Sequence, residues 1–358
     1  MSLPNWHRAH GEPLFHGQLR HTPEDFRVCE QLGWELSGDG EHDYLWLEKI
    51  NANTDWVAQQ LANYAGVPLN DVGYAGLKDR HAITEQWFSV PRWHAPDWSA
   101  LSIEGVRLLK VGRHLRKLRR GAHRANAFRI VVRPQQAIDR DALTARIEQL
   151  RLHGVPNYFG EQRFGREGNN LRLADSWAAG RRLSRNKRSL AISTIRSWVF
   201  NNALSERVQS GHWNVLQPGD LANLDGSASV FDITEVNDTL RTRCAQFDIH
   251  PALPLVGEGY SIEPEKWQRA LGKARVEPGN RSLRLRLTDL SVSIDENLDA
   301  KTGDNKDESI DQSSATKADE NINAKVNQKV DESTVVLCFM LPRGAYATSV
   351  LRELCDWN

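Results

Sequence analysis

The sequence predicts an α+β protein in which one domain interrupts another. Strand and helix patterns alternate between residues 1 and 152, and a long helix with glycine- and proline-rich loops follows between 153 and 285. After a polar segment, the chain ends with an apolar strand and a short helix that are similar to the elements of the first region. We therefore expect residues 1–152 and 286–358 to form one discontinuous, sheet-based domain, with residues 153–285 inserted.

The elements of the first region follow from their hydrophobic periodicity. Strands with β-branched and aromatic residues are predicted at 26–32, 44–50 and 128–132. A helix over 54–64 can be capped by Thr54 and ends at Gly66. An amphipathic helix over 139–152 follows, because its leucine and isoleucine residues recur on one face.

The same periodicity predicts the remaining helices and strands. Helices are predicted at 189–209, 234–247 and 264–271, a buried strand at 335–341, and a short helix at 350–354. Segment 291–334 contains eleven Asp and Glu residues, five Lys and no Arg. It has little apolar surface to offset the entropy of ordering, so we expect it to be a disordered insertion.

Composition excludes several classes of protein. Hydrophobic residues make up 40% of the chain, which supports a substantial core. We expect no signal peptide and no membrane span, since no stretch approaches the about 18 apolar residues that a span needs. The four cysteines form no Cys-x-x-Cys pair, which argues against a zinc site and a disulfide framework and favours a cytoplasmic location.

Positive charge is clustered although the formal net charge is zero. Because segment 291–334 carries a net charge of −6, the rest of the chain carries +6. The run 107–129 contains no acidic residue, and a second basic patch lies at 181–188. Such surfaces are typical of phosphate binding, which positions RNA without reading its bases. The predicted RNA-backbone contacts are Arg113, Arg116, Lys117, Arg119, Arg120, Arg185, Lys187 and Arg188.

One acidic residue stands out in the segment 73–88. Asp79 lies between Lys78 and Arg80, with a predicted strand on each side. A carboxylate at a strand end, beside cations that favour its charged form, could serve as an oxygen nucleophile. The same residues would also suit an ordinary surface turn.

The string 75–86, Ala-Gly-Leu-Lys-Asp-Arg-His-Ala-Ile-Thr-Glu-Gln, closely resembles the signature of the TruD family of tRNA pseudouridine synthases. Further strings resemble the family in the same order along the chain: Pro-Glu-Asp-Phe at 23–26, Gly-Ala-His-Arg-Ala-Asn-Ala-Phe at 121–128, the glycine-rich string 154–165, Arg-Asn-Lys-Arg at 185–188, and 341–354. Any one of these strings is a weak signal, whereas their joint order is specific. Segment 291–334 has no counterpart in the family.

The resemblance implies that the protein isomerises uridine-13 of tRNA to pseudouridine without a cofactor or a metal. The sequence accordingly lacks a phosphate-binding glycine loop, a dinucleotide fingerprint and metal-ligand spacing. By match to the family, Asp79 is the nucleophile, attacking either the uracil ring or the ribose C1′. Arg20 is its expected ion-pair partner, and Phe26, Asn126 and Tyr346 are expected to bind the substrate.

The resemblance also implies the topology, which the periodicity could not supply. It predicts a catalytic domain on a mixed, mainly antiparallel sheet, and an inserted α/β domain that forms one wall of a V-shaped RNA cleft. We expect tRNA as the partner, no protein partner, and a monomer. Two other functions remain open: a non-catalytic RNA-binding or RNA-folding protein on the same fold, and an Asp-dependent RNA hydrolase.

Overall fold

The computed structural model describes residues 3–295 and 333–357. Its strands are β1 (Phe15–Leu19), β2 (Phe26–Gln31), β3 (His42–Ile50), β4 (Gly73–Tyr74), β5 (Ile83–Pro91), β6 (Val106–His114), β7 (Ala125–Pro134), β8 (Val155–Pro156), β9 (Leu221–Leu224), β10 (Val230–Asp232), β11 (Ile249–Leu255), β12 (Gly279–Ser282), β13 (Arg284–Leu285), β14 (Thr288–Asp295), β15 (Thr334–Pro342) and β16 (Cys355–Trp357). Its α-helices are α1 (Thr54–Ala65), α2 (Arg140–His153), α3 (Asn169–Ala178), α4 (Arg185–Gln209), α5 (Asp238–Ala245), α6 (Glu265–Lys273) and α7 (Ala347–Leu351).

A large mixed sheet organises the first part of the chain together with its end. The main path of this sheet runs β14-β15-β7-β2-β5-β3-β6, with β1, β4 and β16 paired alongside. Its strand pairs are antiparallel except for β1 with β16 and β2 with β5. The predicted α+β class is confirmed.

Helices α1 and α2 cover one face of the large sheet. Leu45 and Leu47 of β3 are fully buried in a cluster with Leu61 of α1. Ile130 of β7 is buried in a second cluster with Ile147 of α2. Because alternate residues of a strand face opposite sides, the residues between these positions point to the other face.

A separate core forms around a smaller sheet, whose order is β10-β9-β11-β12. Helices α3, α4 and α6 supply most of the buried residues of a cluster centred on aromatic side chains. Trp6, near the start of the chain, packs in this core against Phe164 at a ring-centroid distance of 5.3 Å. The N-terminal segment therefore contacts the region predicted to be inserted.

Several predicted boundaries differ from the structure. Helix α4 begins at Arg185 rather than at residue 189, because helix-forming polar residues extend it beyond its apolar stripe. Helix α5 is shorter than predicted, and α7 begins before residue 350. Thr54 does not cap α1, since Asn53 occupies that position and the Thr54 hydroxyl donates to Gln86 within the core.

The prediction that segment 291–334 is disordered is wrong at both ends of the segment. Strand β14 continues to Asp295, which pairs with Thr334 of β15. Leu290, Val292 and Ile294 alternate with polar residues, which is the pattern of a half-buried strand, and the polar composition of the segment obscured it. Residues 296–332 lie outside the described residues.

In the described ranges, no helix combines the length and the apolarity that crossing a bilayer requires. All four cysteines carry free thiols.

We predict that Leu47→Ala lowers the free energy of unfolding by about 2–5 kcal/mol, because the fully buried side chain leaves a cavity beneath α1. Chemical denaturation would measure the change. Leu152→Ala is the matched control: its side chain is 67% exposed, and we expect a change within about 0.5 kcal/mol. Equal losses in the two variants would contradict the assigned core.

Candidate active site

The side chains of Asp79 and Arg20 meet at the edge of the large sheet. A guanidinium nitrogen of Arg20 lies 2.7 Å from Oδ2 of Asp79, and 38% of the Asp79 side chain remains exposed. The same guanidinium lies over the ring of Phe26, 4.3 Å from its centroid. Arg20 is therefore held by a charge on one side and an aromatic face on the other, while the carboxylate stays accessible.

Asp79 lies on a loop, residues 75–82, which we call the Asp79 loop. It connects β4 to β5, so the prediction that Asp79 lies at a strand end is wrong. The backbone leaves the sheet after the two residues of β4, and the side chain of Lys78 turns inward.

A buried lysine holds the backbone of Asp79. Nζ of Lys49 donates to the carbonyl oxygens of Asp79 at 3.1 Å and of Ala52 at 2.7 Å. Lys49 is fully buried. Burial lowers the pKa of its ammonium group to about 8, and the negative charge of Asp79 acts in the opposite direction.

A buried ion pair holds Lys78, the residue before Asp79 in the loop. Nζ of Lys78 lies 2.6 Å from Oε2 of Glu30, and the two side chains are only 5% and 0% exposed. The amide of Lys78 donates to the Thr54 hydroxyl at 3.0 Å, and Gln86 donates to the Gly76 carbonyl at 3.3 Å. Groups from β2, β3, β5 and α1 thus fix this loop at three of its residues, Gly76, Lys78 and Asp79.

The buried anchors were missed in the sequence, although the pattern contains a signal for two of them. Glu30 follows Phe26 and Val28 at the inward-facing positions of β2, and Lys49 follows Leu45 and Leu47 in the same way on β3. A charged residue that continues an inward-facing series must find a partner in the core. Which partner it finds depends on the path of the Asp79 loop, and the sequence does not give that path.

Asn126 lies on β7, directly across from Glu30 of β2. Its amide nitrogen lies 3.3 Å from Nε2 of His123. Burial, with the charges of Lys78 and Arg343, lowers the pKa of His123 to about 4, so the ring is neutral near pH 7. Since the Asn126 amide nitrogen can only donate, Nε2 accepts and Nδ1 carries the proton. Within 3–295 and 333–357, Asn126 Oδ1 and His123 Nδ1 have no hydrogen-bond partner.

Tyr346 lies apart from this group. It occupies the position before α7, and its hydroxyl accepts a hydrogen bond from Arg163 at 2.5 Å. Its ring lies 6.1 Å from that of Phe159. In the described part of the chain, no hydrogen bond or ring contact joins Tyr346 to Asp79 or to the other two predicted substrate-binding residues. The structure thus brings Arg20 into contact with both Asp79 and Phe26 and leaves Tyr346 against the second core.

The predicted RNA-backbone residues fall into two groups. Lys117 donates to the Asn70 carbonyl, and Arg120 lies over the ring of Tyr74 and 3.6 Å from Asp55. The others are exposed and have no acidic partner within the described residues: Arg113, Arg116, Arg119, Arg185, Lys187 and Arg188. The second group is free to contact phosphates.

The described residues contain no group of three or more His, Cys, Asp or Glu side chains that could hold a metal ion.

Comparisons with known proteins point to one family. The family model described as tRNA pseudouridine synthase D (TruD) matches residues 7–174 and 169–354. A tRNA pseudouridine synthase D of Methylococcus capsulatus is 40% identical over 369 residues, covering 98% of this chain and 94% of that protein. The protein of the same name from Nitrosococcus oceani is 41% identical and covers 96% of this chain and 91% of its own length.

A solved structure shows the same fold. The crystal structure of the putative tRNA pseudouridine synthase D from Methanosarcina mazei superposes with a TM-score of 0.68. It covers 97% of this chain and 95% of that one at 20% sequence identity.

We predict that Lys78→Met lowers the free energy of unfolding by about 3–5 kcal/mol, because it leaves the charge of Glu30 buried without a partner. Adding Glu30→Gln should recover part of the loss, and chemical denaturation of the single and double variants would measure the coupling.

Arg269→Met is the matched control for this pair. Arg269 forms an exposed ion pair with Glu265 at 2.7 Å, so its loss should cost less than about 1 kcal/mol. An additive effect of the two substitutions at Glu30 and Lys78 would show that they do not act as a buried pair.

Proposed function

Since the chain belongs to the TruD family of tRNA pseudouridine synthases, we propose that it converts uridine-13 of tRNA to pseudouridine with Asp79 as the nucleophile. The reaction is an isomerisation: the N1–C1′ bond breaks, the uracil turns over, C5 bonds to C1′, and N1 gains a proton while C5 loses one. The half-exposed Asp79 carboxylate on its tethered loop is the observation that carries this proposal.

The contacts of Asp79 suit a nucleophile. Arg20 neutralises and orients one carboxylate oxygen, while Lys49 holds the backbone carbonyl of the same residue. An attacking atom must stay within a few tenths of an ångström of its productive position, and rigid support of this kind provides that accuracy. The carboxylate attacks either the uracil ring or the ribose C1′, and both routes start from the charged form.

Three residues are proposed to contact the uracil, and their positions support this role to different degrees. Phe26 is buried and its ring lies beneath Arg20, so we propose that only the edge of the ring would contact the uracil. The unpartnered oxygen of Asn126 is an acceptor that could take the N3–H of uracil, and a buried acceptor without a partner costs about 1–3 kcal/mol. We assign Tyr346 to the opposite wall, where its ring could stack on the base.

The proposed RNA surface follows from the exposed cations. Arg113, Arg116 and Arg119 lie on or after β6, while Arg185, Lys187 and Arg188 form the first turn of α4. These two patches are far apart in the sequence. Together they would bind the backbone of a folded RNA, which would then be recognised by its shape.

We also propose the domain division expected above, with residues 153–285 inserted between 1–152 and 286–358. The sheets support it, because the large sheet is built from residues 15–134 and 288–357, and the four-stranded sheet from residues 221–282. The two units would form the walls of a V-shaped RNA cleft. We propose that the enzyme acts as a monomer in the cytoplasm, which its four free thiols would suit.

We predict that Asp79→Asn lowers the rate of pseudouridine formation by more than about 1,000-fold, because the amide cannot act as a carboxylate nucleophile. The measurement is carbodiimide-primer extension on tRNA that was incubated with purified protein. Asp141→Asn, an exposed position on α2, is the matched control and should keep wild-type turnover.

The same assay separates the alternatives. Wild-type turnover in Asp79→Asn would refute the catalytic assignment. Bound but unmodified tRNA with the wild-type protein would indicate a non-catalytic binder, and cleaved tRNA a hydrolase. Modification at a position other than 13 would refute the proposed target while leaving the chemistry intact.

We predict that Arg116→Ala weakens tRNA binding and reduces the slope of log K against log salt by about 1, because one phosphate contact and its released counterions are lost. Filter binding over a salt series would measure both. Arg241→Ala is the matched control, since Arg241 is exposed but paired with Asp238 at 2.9 Å. An unchanged slope in Arg116→Ala would remove this residue from the RNA surface.

A further inference from the structure

A groove lined by tryptophans borders the large sheet, and the indoles of Trp46 and Trp87 line it from the face opposite to helix α1. Its volume is about 950 Å³. We call it the tryptophan groove and define it by five of its lining residues: Trp34, Trp46, Trp87, Lys110 and Arg113. The rings of Trp46 and Trp87 lie 5.1 Å apart at an angle of 41°, and Trp34 is 36% exposed.

Strand register brings Trp46, Trp87 and Lys110 together on one face of the sheet. Trp46 of β3 lies directly across from Trp87 of β5 on one side and from Lys110 of β6 on the other. Residues that lie across from each other share a face of the sheet. Leu45 and Leu47, on either side of Trp46, are fully buried beneath α1, so the indole of Trp46 points away from that core.

The groove has unbalanced positive charge. Two of its acidic residues are already paired, Glu30 with Lys78 at 2.6 Å and Asp43 with Arg92 at 3.4 Å. Lys110 and Arg113 are exposed, and neither has an acidic partner in residues 3–295 and 333–357. Among the lining residues, Glu35 alone is an acid without an ion pair in those ranges.

The groove is continuous with the proposed phosphate-binding surface. Arg113 lines the groove and is also the first of the exposed arginines that lead to Arg116 and Arg119. A strand of RNA that follows these cations would therefore pass Trp34, which is exposed, and the half-buried indoles of Trp46 and Trp87. Aromatic faces beside a cationic track are the arrangement with which proteins hold unpaired nucleotides.

We propose that the tryptophan groove binds an unpaired nucleotide of the RNA substrate, with its base stacked on the indoles of Trp46 and Trp87 and its phosphate near Lys110 and Arg113. This site rests on the proposed function and deepens it. The bound nucleotide is not the reacting uridine. Gln86, the neighbour of Trp87, donates to Gly76 of the Asp79 loop, so the indole of Trp87 points to the face of β5 opposite to that contact.

The test is the dissociation constant of unmodified tRNA, measured by fluorescence anisotropy on a labelled transcript. Trp46→Ala should raise Kd about 10-fold or more, the size expected from the loss of one stacked base. Trp46→Phe keeps an aromatic face and should restore most of the affinity. Trp93→Ala is the matched control, because this tryptophan is 61% exposed and lies outside the groove.

Lys110→Ala provides a second variant that leaves the indoles in place. It should weaken binding and lower the salt slope by about 1. Wild-type Kd in both Trp46→Ala and Lys110→Ala would overturn the proposal, and so would an equal rise in Trp93→Ala. Thermal unfolding of each variant shows whether a loss of affinity is caused by misfolding. If Trp46→Ala is misfolded, the Kd values of Trp46→Phe and Lys110→Ala test the proposal instead.

The two measurements distinguish an error in the groove proposal from an error in the proposed function. If the groove proposal is wrong, Kd stays unchanged while tRNA is still converted to pseudouridine. If the catalytic assignment is wrong, Asp79→Asn keeps its turnover, whatever the effect of Trp46→Ala on Kd.

Discussion

Buried charge on the inner face of the large sheet constrains the Asp79 loop. Glu30 and Lys49 occupy positions where β2 and β3 otherwise place apolar side chains, and each carries a charge that needs a partner in the core. The Asp79 loop provides both, through the ammonium of Lys78 and the carbonyl of Asp79. Displacing the loop would leave a charge without a partner in the core, a cost of several kcal/mol.

This constraint explains how a reactive carboxylate can be rigid and accessible at once. The backbone of the loop is fixed from below by buried groups, so the side chain of Asp79 does not need to be buried to be held in place. Arg20 then contacts the exposed carboxylate from the side, supported by the ring of Phe26. Rigidity comes from one face of the loop and access from the other, which is what catalysis by a precisely placed nucleophile requires.

The parts of the site that the sequence predicted are those set by local pattern or by resemblance. The expected Arg20–Asp79 pair is present, and the strand around Phe26 forms as its alternation indicates. The tethers from Lys49 to Asp79 and from Glu30 to Lys78 could not be predicted, because they join residues 30 and 48 positions apart through a backbone path that no periodicity describes. The strand ending at Asp295 was missed for a different reason, since average composition concealed a short alternating pattern.

The turn that carries Tyr346 contacts both cores. On the side of the large sheet, the amide of Arg343 donates to the carbonyl of Arg124 at 3.2 Å. On the other side, Arg281 donates to the carbonyl of Gly344 at 3.1 Å, and Arg163 donates to the hydroxyl of Tyr346. Because both units hold the same few residues, the distance between Tyr346 and the Asp79 loop depends on how the units are placed relative to each other. In the proposed cleft, the distance between a bound base and the Asp79 carboxylate would therefore depend on the same placement.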